Sequence, residues 1–127
     1  MLKQYGYHLT LSLLCLGALA LPAQSQQIDG AKLFSQHCAA CHSIAAGAPA
    51  GMGPNLNGVV GRAAGQVKGF AYSAEFKKSL AKKTWTPEML DKWLEEPQNL
   101  APGTYMMYKQ SDASIRAAII DYLQNTK

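Results

Sequence analysis

Two thiols and an imidazole stand together in Cys38-Ala39-Ala40-Cys41-His42, and no other feature of the chain narrows its possible folds as far. Successive residues of a helix turn by about 100°, so positions i and i+3 share a face and i+4 lies beside them. The spacing therefore predicts both thiols and the ring pointing to one side. The chain has 3 cysteines, and Cys15 falls in an apolar N-terminal stretch, which leaves one close pair and no disulfide framework to staple a fold. A C-x-x-C pair followed at once by histidine is the pattern of covalent haem attachment, the cysteines as thioether anchors and the histidine as iron ligand.

The compartment agrees. Met1–His8 carries one lysine and no acid, Leu9–Leu21 is almost wholly apolar, and Pro22 with the small-residue run Ala23-Gln24-Ser25 follows. That is the layout of a secretory signal peptide over residues 1–25. The apolar stretch is shorter than the roughly 20 residues a membrane-spanning helix needs. Leu14 before Cys15 does not suit a lipoprotein processing site. Cleavage after Ser25 leaves residues 26–127 as a single domain, small enough that its core is modest for its surface.

The full chain carries 12 Lys and Arg against 8 Asp and Glu, a net charge of +4. The excess is too small and diffuse for a nucleic-acid binder. Lys77, Lys78, Lys82 and Lys83 do cluster, either as a solvated helix face or as a docking patch for an acidic partner.

Four helical segments are expected. Gly30–Cys41, with Asp29 as N-cap, delivers the thiols and the imidazole at its C-terminal end. Ser73–Lys83 pairs Phe76 with Leu80. Thr86 and Pro87 open a third helix that Pro97 halts, burying Met89, Leu90, Trp93 and Leu94. Ser111 caps a last helix whose stripe is Ile115, Ala118, Ile119, Tyr122 and Leu123, and which should pack on the first. Sustained alternation is lacking, so no sheet is expected. Between His42 and Tyr72 lie seven of the 11 glycines. Pro49, Pro54, Leu56, Val59, Val60 and Phe70 argue against disorder there, and so many glycines suit a backbone passing close around a bulky planar group. No lysine-serine or lysine-threonine pair makes a phosphate cradle of them.

Outside the leader the histidines are His37 and His42. His42 is the expected proximal ligand, and His37, just before the first thiol, should turn away to the surface. The second axial ligand must come from a distance. Met52 is close to His42 in sequence, and Met89 sits on an apolar helix face as core filler. That leaves Met106 or Met107, presented by the stiff turn Pro102-Gly103-Thr104-Tyr105. A thioether is a soft ligand that favours ferrous iron.

The segments GAKLFSQHCAACHSI, GPNLNGVVGRAAGQ, GFAYS, KKTWTPEMLDKWLEEP, PGTYMMY and AAIIDYLQ resemble, in order, the blocks of class I cytochrome c, most of all the bacterial carriers close to mitochondrial cytochrome c. The resemblance covers nearly all of residues 26–127. It implies an all-α fold, a small cytochrome c fold of about four short helices and a long Gly-rich loop around one covalent haem c. It further implies Met106 as sixth ligand, with Met107 its neighbour, and Pro54 as the carbonyl that holds the His42 imidazole N–H. Arg62, Tyr72, Trp85 and Thr104 fall at propionate contacts, and Gly30, Phe34 and Tyr122 at the contact of first and last helices. Where the family commonly bonds a tyrosine to the methionine sulfur, this chain has Trp93, which donates through its indole or not at all. Where mitochondrial relatives place lysines round the haem edge, it has His37, Gln98, Asn99 and Tyr105.

The resemblance implies an electron-transfer protein rather than an enzyme: a periplasmic, monomeric carrier with no stable membrane insertion after cleavage. Its partners would be a quinol-oxidising cytochrome bc complex on one side and a terminal oxidase, photosynthetic reaction centre or dehydrogenase on the other. A second reading is a haem protein whose labile methionine opens the iron to small molecules or peroxide. A thiol-disulfide protein lacks its βαβ context here, and a structural zinc site lacks ligands.

Overall fold

The computed structural model describes residues 28–127; the expected export segment, residues 1–25, lies outside them. Five helices follow in order: α1 Gly30–His37, α2 Ala74–Leu80, α3 Pro87–Glu95, α4 Pro97–Leu100 and α5 Ala113–Gln124. Among the described residues the only β-pairing is an isolated antiparallel bridge between Ala63 and Thr84, so the all-α expectation holds. Among the described residues no helix is long and apolar enough to cross a membrane.

The first and last helices form the frame. Asp29 caps α1 by accepting from the Lys32 backbone N–H at 3.1 Å, and α1 lies against α5 with the Phe34 and Tyr122 rings 5.5 Å apart. Gly30 permits that crossing, since a Cβ there would overlap the Ala118 carbonyl and the Tyr122 Cβ. Ile119, Ile120 and Leu123 of α5 are buried beneath it. The cap of α5 is Asp112 rather than the expected Ser111. Its carboxylate accepts from the Ser114 and Ile115 N–H groups at 2.8 and 3.3 Å, satisfying two of the donors that a helix start leaves open.

α1 is also shorter than expected. It ends at His37, where the N–H groups of Cys38 and Ala39 both turn back to the Phe34 carbonyl at 2.8 and 3.0 Å. Cys41 and His42 then both donate to the Cys38 carbonyl, at 3.0 and 2.9 Å. The thiols and the imidazole thus share a side through a hydrogen-bonded turn rather than a last helical turn.

Ser73 caps α2 at the Phe76 N–H, but α2 stops at Leu80 rather than Lys83 because residues 83–85 are drawn into pairing with the glycine-rich loop. Ala64 donates to Lys83 at 2.9 Å, Trp85 to Arg62 at 2.9 Å, and Gly61 to Trp85 at 2.8 Å. Thr86 caps α3 with Pro87 in its first turn, as expected. Pro97 halts α3 but also begins α4, since its fixed φ suits the first helical position.

Two side chains unforeseen in the sequence complete the frame. Arg116, buried on α5, donates to Asp91 of α3 at 2.7 Å and to the carbonyls of Gln110 and Ser111 at 3.0 and 2.9 Å. Asn55, buried in the loop, donates to the Ala45 and Ala48 carbonyls at 2.8 and 2.9 Å and accepts from the Asn57 N–H. The loop is held from within by polar contacts rather than by a core of its own.

Candidate haem site

The helices and the loop enclose a cavity of about 380 Å³, within the roughly 300–1,000 Å³ typical of ligand pockets. Its walls are mostly apolar, with Leu56, Val59, Phe76, Leu90, Leu94 and Ile119 among them. Every residue expected at the site reaches it: Cys38, Cys41, His42, Pro54, Arg62, Tyr72, Trp85, Trp93, Thr104, Met106 and Met107 all line the cavity.

His42 comes from the turn after α1, and the Pro54 carbonyl oxygen lies 2.8 Å from its Nδ1. A carbonyl can only accept, so Nδ1 carries the proton and Nε2 keeps the lone pair. Burial lowers the pKa of the ring, with the bond to Pro54 opposing it. The side chain is therefore a neutral donor with its tautomer set. Gly53 makes the arrangement possible, because a Cβ on it would overlap the imidazole. Burial, reinforced by Cys41, pushes the Cys38 thiol up to about 11. At neutral pH Cys38 is thus a protonated thiol, unlike the activated cysteine of a disulfide-exchange protein.

The methionine turn, residues 101–110, descends from α4 toward α5. Met106 is half-buried against the core, and its Sδ accepts a hydrogen bond from Nε1 of Trp93 at 3.1 Å. Met107 lies at the cavity rim, 75% exposed, with its Sδ 3.7 Å from the Gln98 amide nitrogen. Gln98 ties the turn down: its amide donates to the Thr104 carbonyl at 3.0 Å and accepts from the Gly103 N–H at 2.9 Å. Gly103 sits at φ 90°, a conformation glycine adopts without strain. Sequence reasoning named Gln98 only as a surface residue, and no spacing signal marks this bond. Met52 is 77% exposed at the cavity rim, and Met89 packs on the core.

Arg62 donates to the Asn57 and Asn55 carbonyls at 3.0 and 2.9 Å, and burial lowers its pKa. Three of its five N–H groups are left for an anionic ligand. The Tyr72 hydroxyl accepts from the Val67 N–H at 3.3 Å; burial raises its pKa, with that bond and Arg62 opposing. Thr104 is buried in the wall. His37 departs from expectation. Instead of turning away it is half-buried at the cavity, its ring 5.8 Å from that of Tyr108.

The donor set fits a haem c: two adjacent cysteines for thioether bonds, a neutral imidazole with a free lone pair, a thioether sulfur and apolar walls for a porphyrin. It does not fit structural zinc, since among the described residues no group of three His, Cys, Asp or Glu side chains is placed to hold a metal ion.

Comparison with known proteins points the same way. The family model described as "Cytochrome c" matches residues 27–127. The chain is 42% identical over 102 residues to cytochrome c2 of Rhodopila globiformis, covering 79% of this chain and 92% of that one. It is 40% identical over 89 residues to cytochrome c-550 of Ancylobacter novellus, covering 69% and 82%. With cytochrome c2 of Blastochloris viridis it shares 38% identity over 100 residues, covering 79% and 77%. A cavity shaped for a covalently held porphyrin, lined by these donors and joined to a family match over the whole described fold, places this chain in the cytochrome c family, as a mono-haem electron-transfer protein with one covalently attached haem c.

Proposed function

We propose that this protein is a periplasmic electron carrier in which Cys38 and Cys41 would anchor the haem and His42 and Met106 would supply its iron ligands. In this reading residues 1–25 are the cleaved export signal and residues 26–127 the single, monomeric domain. Single electrons pass between a quinol-oxidising cytochrome bc complex on one side and a terminal oxidase, a photosynthetic reaction centre or a periplasmic dehydrogenase on the other. The similarity to bacterial cytochromes c2 supports this setting.

The observation that carries the ligation is the pairing of a tautomer-fixed imidazole with a half-buried thioether on one cavity. His42 is fixed by Pro54, and Met106 is fixed by Trp93. A bound haem supplies the one-electron iron couple. The protein's part is to keep both donors in place through oxidation and reduction, to exclude water with apolar walls, and to hold propionates near Arg62, Tyr72, Trp85 and Thr104. The soft Met106 sulfur favours the ferrous state and raises the reduction potential.

The test is an absorption spectrum of protein matured with haem-attachment machinery, recorded ferric, ferrous, and ferrous under carbon monoxide. His/Met ligation gives a ferric iron-to-thioether band at the red edge and no carbon monoxide shift. A missing band with rapid carbon monoxide binding would replace the carrier by an open haem for small molecules or peroxide.

A further inference from the structure

The turn that carries Met106 does not hold itself. Among the described residues, no backbone–backbone hydrogen bond is donated or accepted by residues 105–109. The nearest run from the Thr104 N–H to the Ala101 carbonyl at 2.9 Å on one side and from the Gln110 N–H to the Leu94 carbonyl at 2.8 Å on the other. What reaches across is the side chain of Gln98. Its Oε1 accepts from the Gly103 N–H at 2.9 Å, and its Nε2 donates to the Thr104 carbonyl at 3.0 Å. The same nitrogen lies 3.4 Å from the Met106 carbonyl oxygen and 3.7 Å from the Met107 Sδ. One amide thus spends its acceptor and both of its N–H groups on a single turn. Its base is firm, because Gln98 is half-buried on the four-residue α4, between the buried Pro97 and Ala101.

We infer that Gln98 is a positioning residue that latches the methionine turn shut and so decides how readily a small molecule can take the place of Met106. The inference rests on Met106 being an axial ligand. For an outside ligand to replace the thioether, residues 105–109 must move off the cavity, and they do so without breaking a backbone bond of their own. The cost of opening therefore falls on side chains. Gln98 holds the backbone at Gly103, Thr104 and Met106, the stretch that aims the methionine. The other polar tether of this segment to the body of the fold, the ion pair of Lys109 with Glu96 at 2.8 Å, has its lysine 64% exposed, and exposed pairs of this kind contribute little. An outside ligand binds only the open form, so its apparent affinity scales with the fraction of molecules that are open. A change in the latch is thus read directly as a change in that affinity.

The test compares four holoproteins at neutral pH. Beside the parent stand Gln98→Met, which keeps length and packing without the amide, and Gln98→Glu, which keeps the acceptor for Gly103 but loses both donors. The fourth, Gly30→Ala, loosens the contact of α1 with α5 and leaves the methionine turn alone. Each is examined for the ferric red-edge band, the affinity of the ferric protein for imidazole, and the thermal midpoint. The expected result is a band in the parent and imidazole bound about tenfold more tightly by both Gln98 variants, a difference of about 1.4 kcal/mol. Gly30→Ala should melt lower yet bind imidazole as the parent does. Loss of the band in the Gln98 variants alone would be the stronger form of the same result. Equal imidazole affinities in the parent and the Gln98 variants, with the band present, overturn the latch and leave the ligation intact. A rise in Gly30→Ala as large as in the Gln98 variants also overturns it, since general loosening then accounts for the effect. No band in the parent overturns the ligation and this inference with it. Should one Gln98 variant fail to fold, the other reads the same quantity.

Discussion

The Pro54 carbonyl oxygen stands 2.8 Å from Nδ1 of His42, and twelve residues of loop are arranged so that it does. That one contact gives the imidazole its tautomer and leaves Nε2 for the cavity. The space for the ring is made by Gly53.

Gly53→Ala therefore tests the site from the outside. The added methyl overlaps the His42 ring, which must tilt off its bond to Pro54 or push the loop away. Overpacking of this kind costs about 1–3 kcal/mol. A lower thermal midpoint together with an altered ferric spectrum is the expected outcome, and an unchanged spectrum would show that the ring does not depend on this clearance.

Met106 and Met107 are adjacent in sequence and opposite in environment, the first half-buried and bonded to Trp93, the second 75% exposed. Met106→Ala should abolish the ferric red-edge band and open the ferrous protein to carbon monoxide. Met107→Ala should leave both unchanged. The reverse pattern would transfer the ligand role to Met107.

Asp112 supplies a pH signature. Its carboxylate accepts from the Ser114 hydroxyl at 2.6 Å and from the Ser114 and Ile115 N–H groups at the start of α5, and these bonds lower its pKa. A carboxylate depressed on folding contributes stability that is fully present above its unfolded pKa, about 3.9, and is lost as pH falls through the folded value. Asp112→Asn keeps a good cap but not the charge. The wild type should melt higher than the variant at pH 6, with the gap closing as the pH drops below about 4.

Charge around the cavity predicts how partners are met. Lys68, Lys77, Lys78, Lys82 and Lys83 are exposed and none lines the cavity, whose exposed residues include Met52, Tyr105 and Met107. Electron transfer to an isolated terminal oxidase should slow less steeply with ionic strength than for a lysine-ringed cytochrome. Replacing Lys77, Lys78, Lys82 and Lys83 with Gln should change that slope little. A steep slope that the four replacements flatten would make the lysines the docking surface.

Gly30→Ala probes the frame alone. The new methyl meets the Ala118 carbonyl and Tyr122 Cβ, so α1 must lift from α5, and about 1–3 kcal/mol of stability should go. Differential scanning calorimetry of the holoprotein measures it. The red-edge band should survive, because neither His42 nor Met106 touches the contact.

Much of this was legible in the chain itself. Cys38, Cys41 and His42 are fixed by local spacing, and the thiols and ring reach one cavity although they sit on a turn rather than on the expected helix. Thr86 with Pro87 announced its helix, because a cap and the backbone it satisfies lie within a few residues of each other. The end of α2 is misjudged because it is set from a distance. α2 ends where residues 83–85 pair with residues 61–64. His37, placed by helical geometry on the surface, instead meets Tyr108 across the fold.

The sequence by itself determined the attachment motif, the apolar stripes of the helices and the shortlist of methionines, since each depends on residue type or on neighbours along the chain. Only the tertiary structure decided which methionine is half-buried, that Trp93 donates to its sulfur at 3.1 Å, that Gln98 secures the turn, and that Arg116 joins α3 to α5. Those contacts link residues up to 25 positions apart. Their distances are set by how helices cross and loops close, which no local pattern specifies.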